Sequence, residues 1–197
     1  MILLINLMKR VFLIHGWGGS PEEPMHVWIK KNLEEKGFEV HVPKMPDADK
    51  PKIKPWVKKI EEVVGRVNKE DIFIGHSVGC QAVLRYVEKL YKNERVKKVI
   101  FIAPWMHLDK QAIEEEGEES ISIAKPWVET PIDFEKVKTH CNEFIAIFSD
   151  NDPYVPLSNI NIFKKNLNSE ILILKKRGHF NPSHNIDKLP EILKFIK

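Results

Sequence analysis

The stretch Asp71-Ile72-Phe73-Ile74-Gly75-His76-Ser77-Val78-Gly79-Cys80-Gln81-Ala82-Val83-Leu84 decides the fold class. It opens as an apolar, strand-like run and closes as an apolar helical pattern that continues through Arg85-Tyr86-Val87. Between the two lies Gly75-His76-Ser77-Val78-Gly79, a complete G-x-S-x-G. A strand that turns into a helix over so few residues puts the middle residue on a sharp, strained bend. Flanking glycines let the neighbouring backbone pass without side-chain clash. The structural alternative is a plain helix N-cap serine.

Outward from this turn, short apolar runs alternate with longer amphipathic stretches, the pattern of a parallel α/β sheet. Strands are predicted at 10–15, 38–42, 71–75, 98–103, 143–149 and 170–174. Val11-Phe12-Leu13-Ile14, Val99-Ile100-Phe101-Ile102 and Phe144-Ile145-Ala146-Ile147-Phe148 are continuous rather than alternating, which suits strands covered on both faces. Helical patterns lie at 28–36, 56–64 and 81–91, with a last helix expected from Leu189 onward behind Pro190. The reading is a single three-layer αβα domain with six parallel strands in the order 2-1-3-4-5-6. Its site should lie at the switch point between the first and third strands. Pro43 to Pro55 carries four prolines and reads as an irregular loop. Residues 104–136 are too long for a simple crossover and read as a lid-like segment, with the acidic run 114–119 as a solvated face.

Composition narrows the function. The 197 residues carry 31 basic and 28 acidic side chains, a net charge of only +3, and few arginines. Nucleic acid is therefore a poor partner. Cys80 and Cys141 are too few for a disulfide framework. The apolar run near the start has its positive charges on the wrong side for a signal peptide, and no later run could span a bilayer. A cytoplasmic protein without membrane attachment is expected. Residues 1–8 read as an N-terminal extension or alternative start, and 9–197 as the domain.

A serine needs a base, and the base an orienting carboxylate. After the fifth strand comes Ser149-Asp150-Asn151-Asp152-Pro153; after the sixth, Arg177-Gly178-His179-Phe180. Asp152 is favoured over Asp150, and His179 over His184 and His140. The remaining constellation is His15-Gly16-Trp17-Gly18-Gly19-Ser20 after the first strand. Pro21 breaks a dinucleotide G-x-G-x-x-G, so the glycines read as an oxyanion loop. The backbone N–H groups of Trp17 and Val78 would be the two donors. Trp17, Trp105, Met106 and Trp127 are candidates for a substrate pocket. Cys80 should pack as a small apolar residue, and His76 should pack or hydrogen-bond locally. No His-Glu-x-x-His occurs and the histidines do not cluster with acids at ligand spacing, so neither a metal nor any other cofactor is expected.

These residues resemble the compact serine hydrolases typified by retinoblastoma-binding protein 9, a small branch of the α/β-hydrolases. The likeness runs from about Lys9 and rests on His15-Gly16-Trp17, Gly75 to Cys80, Asp150-Asn151-Asp152-Pro153-Tyr154-Val155-Pro156 and Gly178-His179-Phe180. Lys125-Pro126-Trp127 and Asp133-Phe134-Glu135-Lys136-Val137 are similar to the segment preceding the fifth strand. The resemblance implies Ser77 as nucleophile, Asp152 as orienter and His179 as base. It also implies esterase- or peptidase-like activity on a small acyl ester, thioester or short peptide, without a large cap domain. The competing expectation is a binding or scaffold protein that keeps the fold with a dormant site.

Overall fold

A computed structural model describes residues 9–197; the extension expected at 1–8 lies outside the described residues. The strands are β1 (Arg10–Ile14), β2 (Glu39–His41), β3 (Ile72–His76), β4 (Lys98–Ile102), β5 (Phe144–Ser149) and β6 (Glu170–Leu174). They form one parallel sheet in the expected order, β2-β1-β3-β4-β5-β6. The central strands β3 and β5 are buried along their whole length, which is why their residues run continuously apolar. The edges differ: β2 has three residues, and no residue of β6 is fully buried.

Seven α-helices accompany the sheet among the described residues: α1 (Pro24–Glu34), α2 (Ile53–Val64), α3 (Val78–Glu88), α4 (Lys110–Glu115), α5 (Glu118–Glu129), α6 (Phe134–His140) and α7 (Asn159–Leu167). Helix α3 is the hub. Every residue from Val78 to Val87 is buried, and it packs against α2, α6, β1 and β3. Two of its polar side chains reach outward from the core. Arg85 donates to the carbonyls of Trp127, Thr130 and Pro131 and lies 5.9 Å over the Trp127 ring. Gln81 donates to the Trp105 carbonyl at 3.1 Å. These bonds hold both ends of the 104–136 segment to the rigid centre.

At the start of the sheet, Arg10 grips buried Asp71 with two bonds, Nε–Oδ1 at 2.9 Å and Nη2–Oδ2 at 2.6 Å. This fork pins β1 to the entrance of β3. The C-terminus departs from expectation. Residues 190–195 form a 3₁₀ helix rather than an α-helix, because buried Leu189, Ile192 and Phe195 recur every three residues, the period at which 3₁₀ side chains align. No helix among the described residues is long and apolar enough to cross a membrane.

Candidate active site

Strand β3 ends at His76 and α3 begins at Val78, so Ser77 alone makes the turn. Its φ of 52° is left-handed, a conformation serine adopts only when its surroundings impose it. Both glycines of the motif answer to close approaches. A Cβ at Gly75 would lie 2.6 Å from the Cys80 Cα, and one at Gly79 would meet the Ile14 carbonyl and sit 2.6 Å from the His15 oxygen. The Ser77 side chain does not cap α3. Its Oγ lies 2.9 Å from His179 Nε2 instead, which removes the N-cap reading.

The bond continues from His179 Nδ1 to Asp152 Oδ2 at 2.8 Å. Asp152 is held by its other oxygen, which accepts the Tyr154 and Val155 N–H groups at 2.9 and 3.1 Å. Asp150 is turned elsewhere and accepts from the Lys176 N–H at 2.7 Å. Asn151 ties the two loops together, its Oδ1 accepting from Ser149 Oγ and the Gly178 N–H. Gly178 has a φ of 51°, and a Cβ there would collide with the His184 ring. The rival histidines are therefore accounted for: His184 packs over Gly178, and His140 bonds the Glu94 carbonyl.

The glycine loop after β1 lies against this turn. A Cβ on Gly16 would come within 3.2 Å of the Ser77 Cβ. Buried His15 staples the loop by bonding the Gly16 carbonyl through Nδ1 and accepting the Met45 N–H at Nε2. Gly18 donates to Ala48 and the Trp17 indole to Asp49, so the proline-rich loop is laced to it. Among the described residues, neither the Trp17 nor the Val78 N–H has a partner within the protein.

A family model described as Serine hydrolase matches residues 11–197. The chain belongs to that family. It is 21% identical over 184 residues to the YdeN protein of Bacillus subtilis, covering 93% of this chain and 92% of that one. It is 26% identical over 184 residues to serine hydrolase RBBP9 of Rattus norvegicus, covering 93% and 86%. In fold it is similar to the crystal structure of the B. subtilis ydeN gene product, with a TM-score of 0.86, 20% identity and coverage of 96% and 97%. A carboxylesterase structure from Nitrososphaera gargenis aligns at a TM-score of 0.72 with 15% identity, covering 96% and 89%.

Ser77 and His179 open onto a cavity of about 310 Å³ whose walls include Trp17, Trp105, Leu108 and Ile123. Two of the four pocket candidates therefore lie elsewhere. Trp127 is core: it is 1% exposed, packs edge-on to Trp56 and donates its indole N–H to the Pro51 carbonyl. Met106 is held by its backbone N–H on Asn159 Oδ1 and does not line the cavity. Cys80 is fully buried and directs Sγ at the Gly75 carbonyl; burial pushes its thiol well up, away from the thiolate. His76 bonds the His179 carbonyl 103 residues away rather than a local partner.

Three features escape the sequence reading. Trp105 donates its indole N–H to Ser77 Oγ at 3.3 Å. Tyr154 stands edge-on to the His179 ring, centroids 5.3 Å apart, with its hydroxyl on Glu116. Its place in Asp152-Pro153-Tyr154 is the only sequence signal for that role. Finally, the expectation of no acid–histidine cluster is corrected, because the fold gathers Glu23, His26 and His76. Glu23 and His26 stand three apart in sequence, but His76 arrives from the strand turn.

Proposed function

We propose that this serine hydrolase cleaves small carboxylic esters through an acyl-enzyme formed on Ser77. The observation that carries the proposal is the unbroken bond chain from Asp152 through His179 to Ser77, at 2.8 and 2.9 Å. Asp152 accepts from Nδ1–H and so leaves Nε2 with its lone pair toward Oγ. As Oγ attacks the acyl carbon, Nε2 takes its proton. The resulting imidazolium faces a carboxylate whose other oxygen is already fixed. The developing oxyanion is received by the Trp17 and Val78 N–H groups, each typically worth ~3 kcal/mol in such a site. His179 then returns the proton to the departing alcohol, and a water activated by the same Nε2 releases the acid.

The cavity supports a short acyl group. Its walls mix indole and aliphatic side chains with Asp49, Glu116 and Glu119; Glu116 is engaged by the Tyr154 hydroxyl and Glu119 by Lys50 at 2.6 Å. Asp49 is the wall carboxylate that could meet a peptide amine, so Asp49→Asn beside the ester and anilide substrates separates the peptidase reading from the ester one. The carboxylesterase among the structural neighbours accords with the ester reading.

The test is a panel of p-nitrophenyl esters of increasing chain length beside a peptide anilide and an acyl thioester. Short esters should turn over fastest, and Ser77→Ala should lose on the order of 10⁶ in kcat. Undiminished ester hydrolysis by Ser77→Ala, or turnover of the anilide or thioester alone, would overturn the proposal.

A further inference from the structure

Beneath the glycine loop, Glu23, His26 and His76 each place one ligand-capable atom within 4.8 Å of the other two. Their protonation states follow from their neighbours. His26 Nδ1 lies 2.9 Å from the Ser20 carbonyl, and His76 Nε2 lies 2.9 Å from the His179 carbonyl. A carbonyl oxygen only accepts, so those two nitrogens carry the protons. His26 Nε2 and His76 Nδ1 are left as bare lone pairs. Both are buried without a partner, and so is Glu23 Oε2. The rings themselves are 0% and 3% exposed. Glu23 Oε2 and His26 Nδ1 are 3.6 Å apart, too far for a hydrogen bond to satisfy either.

Three buried electron-pair donors thus lack a hydrogen-bond partner, on three residues that bring ligand-capable atoms within 4.8 Å of one another, an arrangement that costs free energy unless a cation joins it. We propose that Glu23, His26 and His76 bind a divalent transition-metal ion of the zinc class.

Two imidazoles and a carboxylate, with water in a fourth position, are a zinc-type donor set. Each ring also carries the usual outer support of a ligating histidine, its other N–H on a backbone carbonyl. Gly16 keeps the approach open: a Cβ there would crowd His76 Nδ1 at 3.2 Å. The ion would tie the start of α1 to the strand turn and, through the His76 N–H, to the loop that carries His179. That role is separate from the hydrolytic step and does not depend on the ester reading.

The test is calorimetric titration of chelator-stripped protein with Zn²⁺, paired with thermal melting and the visible spectrum of the Co²⁺ form. One equivalent should bind, raise Tm and give Co²⁺ ligand-field bands. Glu23→Gln and His26→Gln should each weaken binding at least about tenfold, while melting in the absence of metal shows that both still fold. The proposal fails if the wild type binds no stoichiometric Zn²⁺, which would mean a proton on Glu23 satisfies the cluster. It also fails if both variants bind as the wild type does, which would place the ion at His179 and Asp152 or at the surface pair His41 and Glu39.

Discussion

The turn at 72–80 and the segment at 104–136 face the same cavity and are built in opposite ways. The turn has no exposed side chain, its two glycines are hemmed in by backbone, and its serine is held at a φ of 52°. In the segment, α4 buries no residue and α5 buries only Ala124 and Trp127. It is anchored at its ends, where Trp105, Trp127 and Ile132 enter the core and the bonds of Arg85 and Gln81 reach it. The chemistry-bearing atoms are thus placed by a close-packed core that tolerates little change, while the surface that meets a substrate rests on few contacts and can vary at low cost.

This contrast can be broken by substitution, starting where the account expects the largest loss. Asp152→Asn should keep the fold yet lower kcat by about 10⁴, since the amide can present the wrong partner to Nδ1; near-normal turnover would transfer the orienting role elsewhere. Gly79→Ala should destabilise by about 3 kcal/mol, read as a fall in the urea midpoint, because the carbonyls of Ile14 and His15 cannot rotate away from a new methyl. A matching Ala substitution at Gly117, whose Cβ would meet nothing within 4 Å, should cost only its backbone strain.

Smaller effects belong to the segment. Trp105→Phe removes the one indole donor on Ser77 Oγ and should cost about tenfold in kcat with KM little changed. Glu119→Gln, which frees Lys50 at the mouth, should move KM by about fivefold at most, and in opposite directions for anionic and cationic esters. If Glu119→Gln disturbed kcat as strongly as Ser77→Ala, the division between rigid turn and adaptable wall would be wrong.

What could be read from the sequence follows the same division. The strands and the turn announce themselves because burial on both faces demands unbroken apolar runs and the close approaches demand glycine. Asp152 and His179 follow from chain order and from their places just past β5 and β6. The segment is opaque because α4 and α5 bury so little that their periodicity is faint. Trp127 misleads there: an indole in a substrate wall and one in the core look alike until Pro51 is seen accepting its N–H. The Glu23–His26–His76 cluster is hidden for another reason, since its third member lies fifty residues beyond the second and only the packing of the loop after β1 against the turn unites them.

The central claim is that Ser77 is an activated nucleophile. Intact-mass analysis after exposure to a fluorophosphonate tests it directly. The account predicts one adduct per chain on the wild type and none on Ser77→Ala. A folded wild type that takes up no adduct, or an adduct that persists in Ser77→Ala, would contradict it and favour a binding protein with a dormant site.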